Sequence, residues 1–230
     1  PGGVRALSTT RHGGTSLAPW SSLNLGDHVG DDPTTVQSNR RRLRQLLPEE
    51  PRWLRQVHGV RCVDAAKVED DATADAAFTR QRGVVCAVMT ADCLPVLLCD
   101  ADASVVGIAH AGWRGLAGGV LEATVAAMDV RGERLMAWLG PAIGQPSFEV
   151  GGEVRDIFLA AHPQAHIAFV PSLNAGRFMA DIYALARIRL ASCGVTAVYG
   201  GGLCTVTDPR FYSYRRAART GRFASLVWLD

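Results

Sequence analysis

Three apolar segments follow one another closely in the middle of this chain, Val84 to Met89, Pro95 to Cys99 and Ser104 to Ala109. Each is too short for an ordinary helix and is bounded by turn signals. Together they read as three neighbouring buried strands. The first two bracket Thr90-Ala91-Asp92-Cys93-Leu94, and an aspartate-rich turn joins the second to the third. Whatever the fold, it is organised around buried β-structure at this point.

The flanking sequence supplies both strands and helices. Val4 to Thr10 reads as a strand entering a glycine-bearing loop, Arg11 to Ser16, followed by Asn24-Leu25-Gly26. Asp32-Pro33 offers an N-cap and a proline for the first helical position, so a helix is predicted from there to about Leu47. A second helix is predicted from about Leu116 to Met128. His110-Ala111-Gly112-Trp113-Arg114-Gly115 is then a strand-to-helix junction whose helix start could receive an anion. Further on come a strand at Leu135 to Leu139, a loop at Gly140 to Gly144, helices at Glu153 to Ala161 and Phe178 to Ser192, and strands at Val195 to Tyr199 and Phe223 to Leu229. The strands come in groups with helices inserted rather than in strict alternation, which predicts an α+β architecture with mixed sheets. Gly200-Gly201-Gly202 lacks the strand-to-helix glycine pattern of a dinucleotide site, which argues against a Rossmann fold.

With 230 residues and no linker, the chain reads as a single domain spanning 1–230. An apolar share of 48% against a charged share of 20% excludes intrinsic disorder. No apolar run approaches the ~20 residues needed to span a bilayer, and no secretory signal is expected. Cys62, Cys86, Cys93, Cys99, Cys193 and Cys204 are scattered rather than clustered as in small secreted domains, which suits a reducing cytoplasm. A net charge of +2 with dispersed arginines predicts no nucleic-acid polymer as partner. Arg40-Arg41-Arg42 reads as a solvated helix face. The one lysine, Lys67, stands in the polar stretch 67–71, read as an exposed loop, so Schiff-base and P-loop chemistry are not expected.

His58, Cys93 and His110 stand where apolar runs meet turns. Two imidazoles and a thiolate could hold a metal with one coordination position open. Equally, a cysteine can be an apolar packing residue and a histidine a satisfied core or surface group. No short ligand motif links the three, and spacing alone leaves both readings open.

Taken in order, Thr10-Arg11-His12-Gly13-Gly14, Asn24-Leu25-Gly26, Gln56-Val57-His58-Gly59, Thr90-Ala91-Asp92-Cys93-Leu94-Pro95, His110 to Gly115, Gly140-Pro141-Ala142-Ile143-Gly144 and Phe211-Tyr212-Ser213-Tyr214-Arg215-Arg216 resemble the YfiH family of laccase-domain proteins. The resemblance covers almost the whole chain. It implies a layered α/β/β/α fold with mixed sheets and a metal site of His58, Cys93 and His110, usually assigned to zinc. It also implies phosphate-dependent cleavage of adenosine, inosine and methylthioadenosine, with adenosine deamination beside it. The expected partners are thus purine nucleosides and phosphate.

Within that expectation, Cys93, Asp92 and Arg114 are the candidate catalytic residues, Asp92 as a proton carrier and Arg114 as a phosphate grip. Arg11 is a second candidate for phosphate, and Asn24 and Gln56 are candidates for ribose or base. His12 and His28 could line the cleft, and Trp113 could stack a purine. His162 and His166 are expected at the surface, while Tyr212, Tyr214 and Arg215 share the resemblance without an assigned role. Three alternatives stand beside this reading. Copper also suits Cys and His, which allows polyphenol oxidation. Cys93 could be the nucleophile of a hydrolase editing peptidoglycan precursors, with His58 or His110 as its base. A scaffold that binds a nucleoside or partner without turnover is the third.

Overall fold

The computed structural model describes residues 1–69 and 71–230; Asp70, in the stretch read as an exposed loop, lies outside the described residues. In chain order the elements begin with β1 (Val4–Ser8), α1 (Pro33–Arg44), β2 (Leu54–Arg55), β3 (Cys62–Asp64), β4 (Ala72–Thr73), β5 (Ala76–Thr79) and β6 (Cys86–Thr90). The middle of the chain forms β7 (Leu94–Asp100), β8 (Val106–Ala111), α2 (Trp113–Gly118), α3 (Val120–Met128) and β9 (Leu135–Leu139). There follow β10 (Glu149–Gly151), α4 (Gly152–Ala161), β11 (Phe169–Pro171), β12 (Arg177–Ala180), α5 (Ile182–Ser192), β13 (Ala197–Gly200) and β14 (Phe223–Leu229).

A six-stranded mixed sheet in the order β13-β9-β7-β8-β5-β3 lies against a three-stranded antiparallel sheet in the order β1-β14-β6. Period-2 alternation decides what each face covers. In β7, Val96 and Leu98 face a cluster with Leu116, Leu121, Val125, Leu185 and Leu190 of the helices, whereas Leu97 and Cys99 face Cys86 and Val88 of β6 and Val227 of β14. On the far side of the smaller sheet, Ala87, Met89, Leu226 and Trp228 pack on Leu43 of α1. The layers therefore run helices, sheet, sheet, helix, which is the expected α/β/β/α order. Full burial of each such aliphatic side chain is worth about 1.5–3 kcal/mol.

The three central apolar runs are all strands, but they are not neighbours in one sheet. β7 and β8 pair directly, while β6 pairs with β14 and packs across the sandwich. The predicted helix at Leu116 to Met128 is two helices, α2 starting at Trp113 and α3, separated by Gly119 at φ +103. Phe178 to Ala180 belong to strand β12 rather than to the start of a helix. Asp181 then caps α5 by accepting from the Tyr183 and Ala184 amides. α1 begins as predicted, with Asp32 accepting from Thr35 N and Pro33 in the first turn, and ends at Arg44, short of Leu47. Arg40 is not a solvated member of the basic cluster: its guanidinium covers the Trp53 ring at 4.5 Å and lies 3.2 Å from Asp27, leaving Arg41 and Arg42 exposed. Among the described residues no helix is long and apolar enough to cross a membrane.

Candidate metal centre and its cavity

The two central strands and the loop after β2 converge on one point. Cys93 stands at the turn between β6 and β7, directly after Asp92, which holds a left-handed backbone at φ +94. His110 lies near the end of β8 and is buried, and His58 occupies the loop after β2, also left-handed at φ +60. Non-glycine residues in this region carry local strain that the surrounding structure must hold, and such residues gather at functional sites. Cys93 Sγ lies 3.8 Å from His58 Nε2, and one ligand atom from each of His58, Cys93 and His110 falls within 4.8 Å of the others. Gly112, at the start of α2, closes the wall behind them. A Cβ there would stand 2.8 Å from Cys93 Sγ and 3.0 Å from His58 Cδ2.

Asp75, just before β5, is fully buried behind the histidines. Its carboxylate accepts from the amides of Val57 (3.1 Å), His58 (2.9 Å) and Gly59 (2.7 Å) and lies 2.8 Å from His110 Nδ1. An ionised carboxylate only accepts, so His110 donates from Nδ1 and keeps Nε2 for the cavity side. Burial alone would push the Cys93 thiol up, but the charge of His110 and hydrogen bonds from both imidazoles bring it down to about 6. Burial would push His110 down, yet the Cys93 thiolate and Asp75 raise it to about 9. The site favours the thiolate that a metal requires of a cysteine, whereas a ligating imidazole must be neutral, so a metal would displace the proton that His110 holds toward Cys93.

The donor set fits zinc. Tetrahedral zinc with sulfur at about 2.3 Å and nitrogen at about 2.05 Å holds those two donors about 3.6 Å apart, close to the separation of Cys93 Sγ and His58 Nε2. Two imidazoles and one thiolate leave the fourth position to water or substrate.

The trio opens into a cavity of about 570 Å3, within the range of small-molecule sites. Gln56 lines it, with its amide paired to the Met89 backbone in both directions at 2.8 and 2.9 Å. Asp92 lines it too. One of its oxygens accepts from the Thr205 hydroxyl at 2.6 Å and the other from the Arg215 amide at 2.7 Å. Arg114 and Trp113 enter from α2, the exposed guanidinium lying 4.5 Å over the indole, and His28 completes that rim. Trp113, His28, Gln56, Asp92 and Arg114 are thus gathered with the trio.

Two expected substrate residues lie elsewhere. Arg11 is not among the residues lining the cavity; it donates to Ser21 O at 2.8 Å and covers the Tyr212 ring at 5.0 Å. Asn24 is fully buried, with its amide held by Gly26 O, Asp31 and the amides of Gly26 and Arg222. It braces a loop because every polar atom of its side chain is already bonded. His12 is exposed and away from the cavity, His166 is exposed and His162 half-buried.

Sequence reasoning passed over Asp75 and Arg222 and gave Tyr214 and Arg215 no role. Arg222 directly precedes β14, is half-buried, and lines the cavity with Arg215 and Tyr214. Burial lowers its basicity, opposed by the charges of Cys93 and Asp92 nearby. A single acid within the apolar stretch Ala74 to Ala77 was the available signal for Asp75; nothing in the chain around Arg222 marked it.

The family model described as multi-copper polyphenol oxidoreductase laccase matches residues 5–230. A Pseudomonas aeruginosa protein named purine nucleoside phosphorylase is 63% identical over all of this chain and 95% of its own length. The chain belongs to the YfiH family of laccase-domain proteins. An Escherichia coli member named purine nucleoside phosphorylase YfiH is 51% identical over all of this chain and 95% of its own. Among solved structures, a Neisseria meningitidis protein superposes with a TM-score of 0.96 at 51% identity, covering 100% of this chain and 96% of its own. Bacillus licheniformis YfiH gives 0.92 at 29% identity, covering 99% and 93%. The fold derived above is therefore the YfiH fold. The family description speaks of several coppers, but in this YfiH chain the described residues hold one group of His, Cys, Asp and Glu at metal-ligand separation.

Proposed function

We propose that this chain is a zinc-dependent purine nucleoside phosphorylase that releases the base of adenosine, inosine or methylthioadenosine with phosphate. Relatives across the full length bear the phosphorylase name. Within the chain, one observation carries the reading: a single cavity joins the His58, Cys93, His110 trio to three arginines, Arg114, Arg215 and Arg222. None of the three has a carboxylate at ion-pairing distance among the described residues. Of the three, Arg222 is half-buried, and a partly desolvated cation without a counter-charge is costly; a phosphate dianion meets that need through fork-shaped donors.

In phosphorolysis a phosphate oxygen bonds to C1′ of the sugar while the C1′–N9 bond breaks and its electron pair leaves with the purine. Arg222 and Arg114 hold the phosphate and offset its charge as it approaches C1′, while Arg215, whose guanidinium donates to Ser147 O and Glu149 O at 3.2 Å, adds its charge from the cavity wall. Trp113, Phe148 and Tyr214 supply aromatic wall for the purine face. Asp92, with both oxygens engaged, orders the segment bearing Arg215; carrying a proton would require it to release one of those bonds. His58 Nε2, His110 Nε2 and Cys93 Sγ would hold zinc, which supplies a Lewis acid to the cavity.

Adenosine deamination is a second activity of the same cavity, favoured by a three-donor set that leaves one position open. Copper would bind the same donors, but oxidation at several coppers needs further ligand groups. His12, His28, His162 and His166 are not part of the trio's ligand group. A Cys93 hydrolase acting on cell-wall precursors needs a thiolate that zinc would occupy. Six free cysteines fit a reducing compartment such as the cytoplasm.

The test is chromatography of inosine incubated with zinc-analysed protein, with and without phosphate, beside Cys93→Ala. Phosphate-dependent hypoxanthine, lost together with zinc in the variant, is expected. A zinc-loaded wild type that releases no base would rule out the reading.

A further inference from the structure

Asp75 is the residue on which both histidines of the trio depend, and nothing in its own strand explains why a carboxylate should be fully buried there. It sits one residue before β5, whose pairing with β8 sets Ala76 opposite Ala109 and so brings Asp75 beside His110. Its backbone oxygen takes the His110 amide at 2.7 Å, and its own amide donates to Arg61 O at 3.1 Å. Its side chain then reaches two places at once. Three consecutive amides, Val57, His58 and Gly59, converge on it from the loop that turns His58 left-handed, and the His110 imidazole meets it from the other side.

Two carboxylate oxygens offer about four lone-pair positions, and four N–H donors fill them. No acceptor capacity is left over for substrate or for a metal, so Asp75 acts through the histidines and not on the reacting atoms. The three loop bonds fix the backbone of His58 in a conformation that an unsupported histidine seldom adopts. The bond to His110 fixes its tautomer and its ring plane, so that Nε2 is the nitrogen presented to Cys93. The two rings stand with centroids 4.8 Å apart and planes at 69°, an arrangement that aims both toward the thiol instead of stacking them.

We propose that Asp75 is the positioning residue of the metal centre, a single buried carboxylate that presets the orientation of both histidine ligands. This rests on the assignment of the trio as a zinc site made above. Carboxylates that hold metal-ligating histidines from behind commonly change metal affinity 10- to 100-fold when removed. Here the effect falls on two ligands together. Asp75→Asn is the informative change because it keeps the size while replacing one acceptor oxygen by an NH2 group. At most two of the four donors can then be satisfied, and the new NH2 points at donors.

The experiment measures zinc affinity of folded wild type and Asp75→Asn by competition with a chromophoric chelator, with the cobalt-substituted absorption spectrum of each as a second readout. Expected are a loss of affinity of about 10-fold or more and an altered thiolate-to-cobalt band. A general loss of stability would move the melting temperature without changing that band. An Asp75→Asn protein that is folded and binds zinc within about twofold of wild type would overturn the proposal. So would a wild type that binds no zinc. If the variant does not fold, long-range proton–nitrogen NMR of zinc-loaded wild type decides. A proton on His110 Nδ1 supports the proposal, and one on Nε2 overturns it. Zinc-loaded wild type that fails to cleave inosine would remove the phosphorylase reading and leave this one standing.

Discussion

Gly112→Ala isolates the geometry of the candidate metal centre from its chemistry. The backbone at Gly112, φ −60 and ψ 156, is open to alanine, so the substitution acts through its methyl group alone. That methyl would lie 2.8 Å from Cys93 Sγ and 3.0 Å from His58 Cδ2. Reaching an ordinary contact of about 3.4 Å requires the sulfur and the methyl to separate by roughly 0.6 Å, against a tolerance of about 0.2 Å in metal–ligand distances. Overpacking of this kind costs about 1–3 kcal/mol. If the donors bear it, zinc affinity falls about 5- to 150-fold, at 1.36 kcal/mol per factor of ten. Chelator competition reads the affinity, and thermal melting of the zinc-stripped protein reports whether the fold has changed. Gly118→Ala is the control: its methyl would meet only the Val60 side chain, at 3.0 Å, and zinc binding should be unaffected. Gly112→Ala protein that binds zinc as wild type does, with unchanged melting, would show that the close approach to Gly112 is not what holds the donors together.

Other consequences are open to simpler tests. Arg222→Gln should raise KM for phosphate by about 10- to 100-fold, as expected for a charged hydrogen bond, with zinc content unchanged; an unaltered phosphate KM would remove Arg222 from the anion site. Leu98→Ala, at 1% exposure between the large sheet and its helices, should cost about 2–5 kcal/mol in urea unfolding, and a loss under 1 kcal/mol would contradict the packing described. Hydrogen bonds from the Thr34 and Thr35 hydroxyls and the Thr35 amide hold the Asp32 carboxyl at about 2, below its ordinary 3.8. Its contribution is complete above the unfolded value and is lost as pH falls through about 2, so Asp32→Asn should flatten the acid limb of a stability–pH curve. An identical acid limb in the variant would show that the cap carries no such linkage.

Local signals were read well where the physics is local. Asp32-Pro33 announced the start of α1, and the apolar runs announced β6, β7 and β8, because capping and continuous burial leave their marks on adjacent residues. Which sheet a buried run joins is a long-range matter: Val84 to Met89 looks the same whether β6 pairs with β7 or, as it does, with β14. The trio could be proposed from residue type and motif. Asp75 left only the weak mark of one acid among alanines, since its importance appears when β5 pairs with β8 and the loop after β2 folds over it. Arg11 and Asn24 stand in motif positions like those of genuine cavity residues, yet their polar atoms turn inward to brace loops. Arg222 became part of the cavity because β14 carries it there, and no local pattern records that.

The smaller sheet is threaded in an order that matters during synthesis. Its middle strand, β14, is the last of the strands to be made, and it separates β1, the first, from β6. Until Phe223 to Leu229 have been made, β1 lacks its strand partner and the sandwich lacks Val227 and Leu229 from its inner wall. Arg215 and Arg222 arrive in the same final stretch, whereas His58, Asp75, Cys93 and His110 have long since been available. The candidate metal ligands thus precede the closing strand in the chain, while two of the cavity's three arginines come with it.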